Sequence, residues 1–371
     1  MTLGTQKILN SLTRFGQCRI AVIGDLMLDE YLWGHIERIS PEAPVPILSV
    51  VRRESTLGGA GNVVENLRSL GVQVAAFGVV GSDETGDQVR ALLNAQGADV
   101  RGVIPDSHRK STRKVRLMSL EHGQQVFRLD EESTSAVGSE MEDNLTAMIR
   151  AAVGDVQAIL CSDYMKGVLT RRVLDTVFAA ARERGIPSIV APKDSNPQKY
   201  FGATVLMPNA LELAQLVGTP VDGNCWLNDS ARQVIDNLAL QALIVTRGGE
   251  GMSLFEKEEN GLRRMDIPTT ARSVYDVTGA GDTAIAAFAA AVASGSSLET
   301  AVRLANLAAG IKVGKRGTAC VSSVELTDCA RAEQAGHSKL WNEASLSSEP
   351  GTEDHRAQPA RPAVTQQFTK V

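Results

Sequence analysis

The chain lacks the features of secreted, membrane and nucleic-acid-binding proteins. Its five cysteines include no CxxC pair, which argues against a disulfide framework or a cysteine-based zinc site. No segment reaches the roughly 18 uninterrupted apolar residues that cross a bilayer, and no continuous apolar core of a signal peptide precedes Cys18. The net charge of −5 combines 38 basic with 43 acidic residues, so charge gives no case for nucleic acid. These absences predict a soluble protein of the reducing cytosol.

Aromatic residues are also few, at 4%, yet 43% of the 371 residues are hydrophobic, enough for a substantial core. Short apolar runs alternate with helical patterns, which is typical of an α/β protein with a largely parallel sheet. The predicted strands are 20–23, 74–79, 158–162, 188–191, 205–207 and 243–246. The predicted helices are 61–69, 85–95, 141–153, 170–183, 210–216, 229–238, 280–293 and 297–313. Ligands of such sheets bind beyond the carboxyl ends of the strands.

The most informative segment is the glycine turn VTGAGDTA at residues 277–284, which precedes an alanine-rich helical run. Gly279 and Gly281 allow a tight turn whose N–H groups point outward at a helix start, where the dipole favours an anion. We expect Asp282 to stay ionised in this positive environment, which suits a base that accepts a proton from a hydroxyl. The isolated turn is equally typical of a structural helix cap.

A second glycine turn, LGGAGNVVENL at residues 57–67, lies more than two hundred residues upstream. Together with residues 275–283 it resembles the two signatures of the ribokinase-like, or PfkB-type, sugar kinases. The resemblance implies a three-layer α/β/α fold with a central, mostly parallel sheet and a small β lid. It also implies transfer of phosphate from ATP with Mg²⁺, in which Asp282 is the base and Gly279, Ala280 and Gly281 form the anion hole.

Residues 45–53 and 113–130 interrupt the helix and strand alternation with apolar and polar residues that alternate along each arm, and they predict antiparallel strands. By the same resemblance, residues 1–333 form the kinase domain, with a lid at about 31–56 and 110–131 and a homodimer through its strands. A plain extension of the main sheet is the alternative. The polar residues 334–371 predict a disordered tail.

Acidic and amide side chains beside the first strand and the first glycine turn suit a polyol. Asp25 and Asp29 follow the strand, and carboxylates accept hydrogen bonds from neighbouring hydroxyls. Asn62 follows the Gly58 and Gly59 turn and carries an amide that both donates and accepts. A structural role for Asp25, as a cap of the following turn, is the alternative.

Residues 24–31 and 38–46, with shorter matches at 124–130, 162–167 and 313–318, resemble the bacterial heptose 7-phosphate kinases of lipopolysaccharide-core synthesis, a branch of the same family. The resemblance covers about residues 15–328. It implies D-glycero-β-D-manno-heptose 7-phosphate as substrate and the 1,7-bisphosphate as product. Some relatives continue into an adenylyltransferase domain, whereas this sequence ends in a polar tail, so we expect a kinase domain alone.

A phosphosugar requires cations distant from the reacting hydroxyl. Lys114 and Arg116, two residues apart, share one face of a predicted strand. Arg128 and Arg38 are further candidates, since Lys and Arg form charge-assisted hydrogen bonds with phosphate. A solvated strand face is the alternative for each residue taken singly.

Asn209 and Glu212 match the Asn-x-x-Glu motif of the family, in which the Glu helps to place Mg²⁺ through water. A helix capping box uses the same spacing. The resemblance implies further nucleotide contacts from the following residues: Thr246, Arg247, Gly248, Asn306, Lys166 and Lys193. Ala191 stands where many relatives carry Asp. Asp276 and the backbone near Gly317 resemble a monovalent-cation site, which leaves K⁺ activation open.

Two other classes of function are weaker alternatives. One is a PfkB-type kinase for a free pentose, hexose or nucleoside, and the other is a non-catalytic sugar-phosphate sensor on the same fold. A Rossmann dehydrogenase is disfavoured because the first strand is followed by GDLM and not by Gly-x-Gly-x-x-Gly.

Overall fold

The computed structural model describes residues 3–121, 123–221, 225–259, 261–271, 273–315 and 319–334. The strands are β1 Arg19–Gly24, β2 Leu26–Ile39, β3 Pro46–Gly59, β4 Gln73–Gly81, β5 Asp99–Asp106, β6 Thr112–Ser119, β7 Gln125–Glu131, β8 Ala158–Ser162, β9 Ser188–Ala191, β10 Val205–Leu206, β11 Ala242–Thr246, β12 Met252–Glu258 and β13 Gly261–Ile267. The helices are α1 Leu3–Leu12, α2 Ala60–Ser69, α3 Glu84–Ala95, α4 Ser139–Ala152, α5 Arg171–Arg184, α6 Ala210–Val217, α7 Trp226–Leu238, α8 Ala280–Ala293, α9 Leu298–Val313 and α10 Ser323–Gln334. Within these ranges, no helix is both long and apolar enough to cross a bilayer. The predicted tail falls outside them from residue 335 onward.

The main sheet has nine strands in the order β13-β12-β11-β10-β9-β8-β1-β4-β5. Its strands from β11 to β5 pair in parallel, and β12 and β13 add an antiparallel hairpin at one edge. The predicted α/β class is therefore confirmed, and each of the six predicted strands is present. The carboxyl ends of β8, β9, β10 and β11 lie side by side at one edge of the sheet, as a run of neighbouring parallel strands requires.

Helices cover both faces of the main sheet, so its strands are buried on both sides. Ile20 and Val22 of β1 pack into one apolar cluster with α1, α2, α3, α8, α9 and α10. Ala21 and Ile23 pack into a second cluster with α4, α5, α6 and α7. The alanine-rich α8 is buried from Thr283 to Ala291, and its short side chains let α2 and α9 pack closely against it. This confirms the helix predicted at residues 280–293 and places it in the core.

A separate four-stranded sheet, which we call the lid sheet, has the order β3-β2-β6-β7. The pair β6–β7 is antiparallel, as predicted for residues 113–130. The pair β2–β3 is antiparallel as well, whereas β2 and β6 pair in parallel. The sequence did not predict β2. Only Asp25 separates the end of β1 at Gly24 from the start of β2 at Leu26. Asp29 therefore lies within a lid strand and not in a loop. Residue 122, between the two arms predicted within residues 113–130, lies outside the described residues.

The strand register gives the lid sheet two chemically different faces, because directly paired residues point to the same side. The first face, which we call the polar face, carries two cross-strand rows: Asp29 with Lys114 and Asp130, and Tyr31 with Arg116 and Arg128. The opposite face carries the rows Glu30 with Val115 and Leu129, and Leu32 with Leu117 and Phe127. Phe127 and Leu129 are 58% and 49% exposed. The lid sheet is thus polar on one side, and the other side carries exposed apolar residues beside the ion pair of Glu30 with Arg113.

Candidate active site

A cleft of about 200 Å³ lies beyond the carboxyl ends of β8, β9, β10 and β11. Its lining residues are Asp163, Tyr164, Ala191, Pro192, Lys193, Met207, Asn209, Glu212, Thr246, Gly279, Gly281, Asp282 and Ile285. The cleft brings together residues from both the predicted catalytic turn and the predicted nucleotide side. It has the location that is usual for ligands of open parallel sheets.

The glycine turn before α8 has the geometry of an anion site. Gly279 is the N-cap of α8 with φ 75°, a left-handed conformation that glycine adopts without strain. The N–H of Ala280 donates to the carbonyl of Val277 at 3.2 Å, so this predicted anion donor is already used within the turn. Among the described residues, the amides of Gly281 and Asp282 have no such carbonyl partner. The amides of Gly281 and Asp282 therefore remain available to an anion in the cleft.

Asp282 is partly buried, and both of its carboxylate oxygens accept hydrogen bonds. The phenol of Tyr164 donates to Oδ1 at 2.8 Å, and the amide of Asn62 donates to Oδ2 at 2.6 Å. Burial raises the pKa of Asp282 above its ordinary value, while these two hydrogen bonds oppose the rise. The net effect of burial thus opposes the ionised form that the helix start was expected to favour, and ionisation of Asp282 at working pH stays a prediction.

A chain of hydrogen bonds fixes the orientation of Asn62. Its side-chain oxygen accepts from the amide of Asn66 at 3.1 Å, and the oxygen of Asn66 accepts from the hydroxyl of Thr283 at 2.7 Å. The Asn62 amide group is thereby turned toward Asp282. Asn62 was predicted from sequence as a sugar ligand, and in the structure it links α2 to the base candidate on α8.

The first glycine turn is required by close packing beside Asp29 and Asp25. A side chain at Gly58 would come within 2.8 Å of the Asp29 carboxylate. Gly59 has φ 56°, and a Cβ there would lie 2.5 Å from the carbonyl oxygen of Asp25. Gly58 therefore leaves room for the Asp29 carboxylate, and Gly59 leaves room for the backbone of Asp25.

Asp25, predicted as a sugar ligand, is only 1% exposed. Its Oδ2 accepts the N–H groups of Tyr164 at 2.7 Å and Lys166 at 3.1 Å, and its Oδ1 accepts the N–H of Val168 at 3.1 Å. Three hydrogen bonds thus tie this buried carboxylate to the loop after β8. They favour the structural alternative for Asp25, and its contact with a sugar stays a prediction.

Three of the four predicted phosphate-binding cations lie together on the polar face of the lid sheet. Arg116 forms an ion pair with Asp29 at 2.8 Å, and its guanidinium carbon lies 5.2 Å from the centre of the Tyr31 ring. Lys114 lies 3.5 Å from Asp130, and Arg128 lies 2.9 Å from the same residue. Each cation is held by a carboxylate, which fixes its position.

Arg38, the fourth predicted cation, does not join this group. It is exposed near the far end of β2 and pairs with Ile47, nine residues beyond Asp29. At about 3.3 Å per residue, that separation is roughly 30 Å along the strand. The length of β2, which the sequence did not predict, therefore removes Arg38 from the cleft.

Asn209 and Glu212 form the predicted capping box at the start of α6. The second oxygen of Glu212 faces Lys193, whose Nζ lies 2.7 Å away. Both predicted roles thus use the same carboxylate, one oxygen for the cap and the other toward the cleft. Where relatives carry an Asp, the backbone carbonyl of Ala191 accepts the N–H of Asp163 at 3.1 Å.

The other predicted nucleotide residues divide into those at the cleft and those engaged elsewhere. Thr246 lines the cleft, and Gly248, two residues later, has φ 55°. The guanidinium of Arg247 instead pairs with Glu250 and Asp266.

Two further nucleotide predictions are also engaged elsewhere. Asn306 is 3% exposed, and its amide donates to the carbonyl of Pro268 at 2.8 Å. Lys166 pairs with Glu132 at 2.6 Å. Neither residue is among those that line the cleft, and their contact with the nucleotide stays a prediction.

The predicted monovalent-cation site is described only in part. Asp276 accepts the N–H of Thr278 at 2.9 Å, and its charge acts on both Tyr31 and Lys312. The charge of Asp29, on the same face as Tyr31, likewise acts on Asp282 and Tyr164, so the polar face of the lid sheet lies on the side of the cleft and of the turn before α8. Gly317, the other half of the site, lies outside the described residues.

Tyr164 and the polar cluster around Asp163 lie at the cleft, and the sequence did not predict a role for either. Asp163 is 2% exposed; the hydroxyl of Tyr200 donates to it at 2.7 Å and the Nζ of Lys199 lies 2.5 Å from it. The only sequence signal was the SDYMKG segment after β8, which matched the family branch without a stated function. The hydrogen bond from Tyr164 to Asp282 joins residues that are 118 positions apart, so no local sequence pattern indicates it.

Comparison with known sequences places the chain among sugar kinases. The family model described as pfkB family carbohydrate kinase matches residues 18–324. The chain is 45% identical over 338 residues to the "Bifunctional protein HldE" of Geotalea uraniireducens, covering 91% of this chain and 68% of that protein. It is 46% identical over 305 residues to the same-named protein of Geobacter metallireducens, covering 82% and 61%. The chain thus spans only about two thirds of the length of such relatives.

Solved structures with low sequence identity share the fold. Ribokinase of Arabidopsis thaliana with ribose and ATP superposes with a TM-score of 0.66 at 20% identity, covering 85% of this chain and 99% of that one. Phosphofructokinase-2 of Escherichia coli with potassium gives a TM-score of 0.71 at 20% identity and the same coverage. The fold is therefore ribokinase-like. Since the family model spans most of the chain, this protein belongs to the pfkB family of carbohydrate kinases and is an ATP-dependent sugar kinase.

Proposed function

We propose that this kinase phosphorylates the anomeric hydroxyl of D-glycero-β-D-manno-heptose 7-phosphate and so supplies the 1,7-bisphosphate for ADP-heptose and lipopolysaccharide-core synthesis. The observation that carries the proposal is the polar face of the lid sheet, which presents Lys114, Arg116 and Arg128 on the side of the cleft. The sequence resemblance and the relatives named HldE support it further. The proposal covers the kinase reaction only, because the chain spans part of those relatives.

Asp282 is the base in this proposal. The anomeric oxygen attacks the γ-phosphorus of ATP in line, so a new O–P bond forms as the bond to the β-phosphate oxygen breaks and ADP leaves. The proton of the hydroxyl passes to the Asp282 carboxylate. The amides of Gly281 and Asp282 point to where charge develops on the transferred group, and fixed donors of this kind stabilise it.

The lid cations are assigned to the 7-phosphate. Arg116 is held between Asp29 and the Tyr31 ring, so little side-chain entropy is lost when its remaining N–H groups bind a phosphate. Asp29 then lies between the cation and the base, where its free lone pairs can accept sugar hydroxyls. A phosphate at one end of the substrate and Asp282 at the other would fix the reacting oxygen.

Glu212 fits the role of a Mg²⁺ ligand acting through water. Among the described residues, no group of three or more His, Cys, Asp or Glu side chains is arranged to hold a metal. A single carboxylate suits Mg²⁺, which keeps several waters and takes further oxygens from phosphates. Bound there, Mg²⁺ would neutralise charge on ATP, and Lys193 would be released from Glu212 toward the phosphates. The potassium in the Escherichia coli phosphofructokinase-2 structure supports a K⁺ site beside Asp276.

The exposed apolar face of the lid sheet supports the proposal of a homodimer through the lid strands. Phe127 and Leu129 lie on neighbouring rows of that face, and burying such residues against a partner stabilises an interface. Phe127→Glu with Leu129→Glu should convert a dimer to a monomer in sedimentation velocity. Val324→Glu, at a site that is 66% exposed on α10, is the control and should leave the dimer intact. A wild type that sediments as a monomer at micromolar concentration contradicts the dimer.

Removing the lid cations should weaken binding of the phosphosugar selectively. In Lys114→Ala with Arg116→Ala, we expect KM for heptose 7-phosphate to rise about 100-fold or more, because two charge-assisted contacts are lost. KM for ATP should change little. Arg38→Ala is the matched control from the same sheet, and it should leave both constants near wild type. An equal rise in both KM values, or a strong effect of Arg38→Ala, would contradict the assignment.

The function is tested by sugar-dependent ADP release from Mg-ATP with D-glycero-D-manno-heptose 7-phosphate, ribose, fructose and fructose 6-phosphate. Release confined to the heptose phosphate is the expected result. Release with a free sugar would instead support the alternative of a different PfkB-type kinase. No release with any of the four would leave a sugar-phosphate sensor as the better explanation.

A further inference from the structure

Tyr164 is held at both ends by carboxylates from different parts of the fold. Its backbone N–H donates to Asp25 at 2.7 Å, and its phenol donates to Asp282 at 2.8 Å. The next residue, Met165, has φ 57°, a left-handed conformation that costs a non-glycine residue free energy. The loop after β8 is therefore fixed in a strained shape that delivers the Tyr164 hydroxyl to Asp282.

We propose that Tyr164 is a positioning residue for the base of the kinase reaction. The inference rests on the proposed role of Asp282. With the phenol on Oδ1 and the Asn62 amide on Oδ2, the plane of the carboxylate is set by two donors from opposite sides. An ionised carboxylate offers about four lone-pair positions, so acceptor positions remain for a substrate hydroxyl.

The charges around the pair keep the phenol protonated. Burial raises the pKa of Tyr164 well above its ordinary value, and the carboxylates of Asp282, Asp29 and Glu212 act in the same direction. Tyr164 therefore acts as a hydrogen-bond donor throughout the working pH range and does not compete for the substrate proton.

The hydrogen bond from Tyr164 has the opposite effect on Asp282, because it lowers the pKa of this carboxyl. Burial raises the pKa of Asp282, whereas the hydrogen bonds from Tyr164 and Asn62 and the charge of Lys193 lower it; the charge of Asp29 raises it. Because the ionised form is the base, a hydrogen bond that favours ionisation widens the pH range of activity toward acid. Tyr164 thus offsets part of the burial that encloses Asp282.

Tyr164→Phe tests this role because it removes the hydroxyl and little else. In a plot of kcat against pH, the acid limb is the region where kcat falls as the pH is lowered. We expect the midpoint of this limb to move up by about one pH unit, since one hydrogen bond to a charged group is lost. KM for both substrates should stay near wild type. Replacement by 3-fluorotyrosine, a stronger donor, should move the limb in the opposite direction.

Tyr200→Phe is the matched control. Tyr200 is a fully buried tyrosine whose hydroxyl donates to Asp163 and not to Asp282. This variant should lower the midpoint of thermal unfolding without moving the acid limb. A Tyr164→Phe enzyme whose limb coincides with that of wild type, or moves equally in Tyr200→Phe, overturns the inference.

Failure of the inference is distinguishable from failure of the proposed base. If Asp282→Asn is inactive while Tyr164→Phe shows no shift, only the positioning role of Tyr164 is wrong. If Asp282→Asn keeps near-normal turnover, the base assignment itself is wrong, and the role of Tyr164 falls with it.

Discussion

Asp282→Asn should lower kcat by about 100-fold or more, because the amide cannot accept the proton of the attacking hydroxyl. The substitution preserves the shape of the side chain, so we expect thermal unfolding and KM for ATP to stay close to wild type. The measurement is steady-state ADP release with saturating heptose 7-phosphate across a range of pH.

Asp175→Asn provides a matched control for that variant. Asp175 is an exposed carboxylate on α5 that pairs with Arg171, and its substitution should leave kcat unchanged. In the wild type, the acid limb should lie above the pKa of an ordinary Asp, since burial raises the pKa of Asp282. Turnover of Asp282→Asn within a few-fold of wild type would rule out the base assignment.

Asp25→Ala should lower the free energy of unfolding by more than about 3 kcal/mol. The substitution leaves unpaired three backbone N–H groups that donate to one buried carboxylate in the wild type. The amides concerned are those of Tyr164, Lys166 and Val168. Since Tyr164 would also lose its anchor, kcat should fall together with stability. Urea unfolding followed by fluorescence or circular dichroism measures the first effect.

The exposed Asp175→Ala is the control for stability, and we expect it to change the free energy of unfolding by less than about 0.5 kcal/mol. An Asp25→Ala protein as stable as wild type, with a raised KM for the sugar alone, would contradict the structural role. That outcome would return Asp25 to the sugar site that the sequence predicted.

Much of the main sheet could be predicted because its signals are local. Apolar runs such as residues 158–162 and 243–246 are buried on both faces, and helical periodicity identified the helices between them. Strand β2 was missed because charged residues such as Asp29 and Glu30 lie within it, and their partners on β6 are more than eighty residues away. The hairpin β12–β13 was missed as well, since an edge pair has a weaker apolar pattern.

The candidate site was predictable where one motif holds several residues. Gly279, Gly281 and Asp282 came from one turn, and Asn209 with Glu212 came from one capping box. Contacts between distant segments were not predictable: Tyr164 and Asp282 are 118 residues apart in sequence. The rise in the pKa of Asp282 could not be predicted for a similar reason, because burial depends on what the whole fold packs around a side chain.

The ³¹P NMR spectrum of the product formed from ATP and D-glycero-β-D-manno-heptose 7-phosphate identifies the carbon that this kinase phosphorylates. We expect a new phosphate ester resonance coupled to the anomeric proton, beside the unchanged resonance of the 7-phosphate. ADP release without that resonance, or a new ester at any other carbon, would contradict the proposed function.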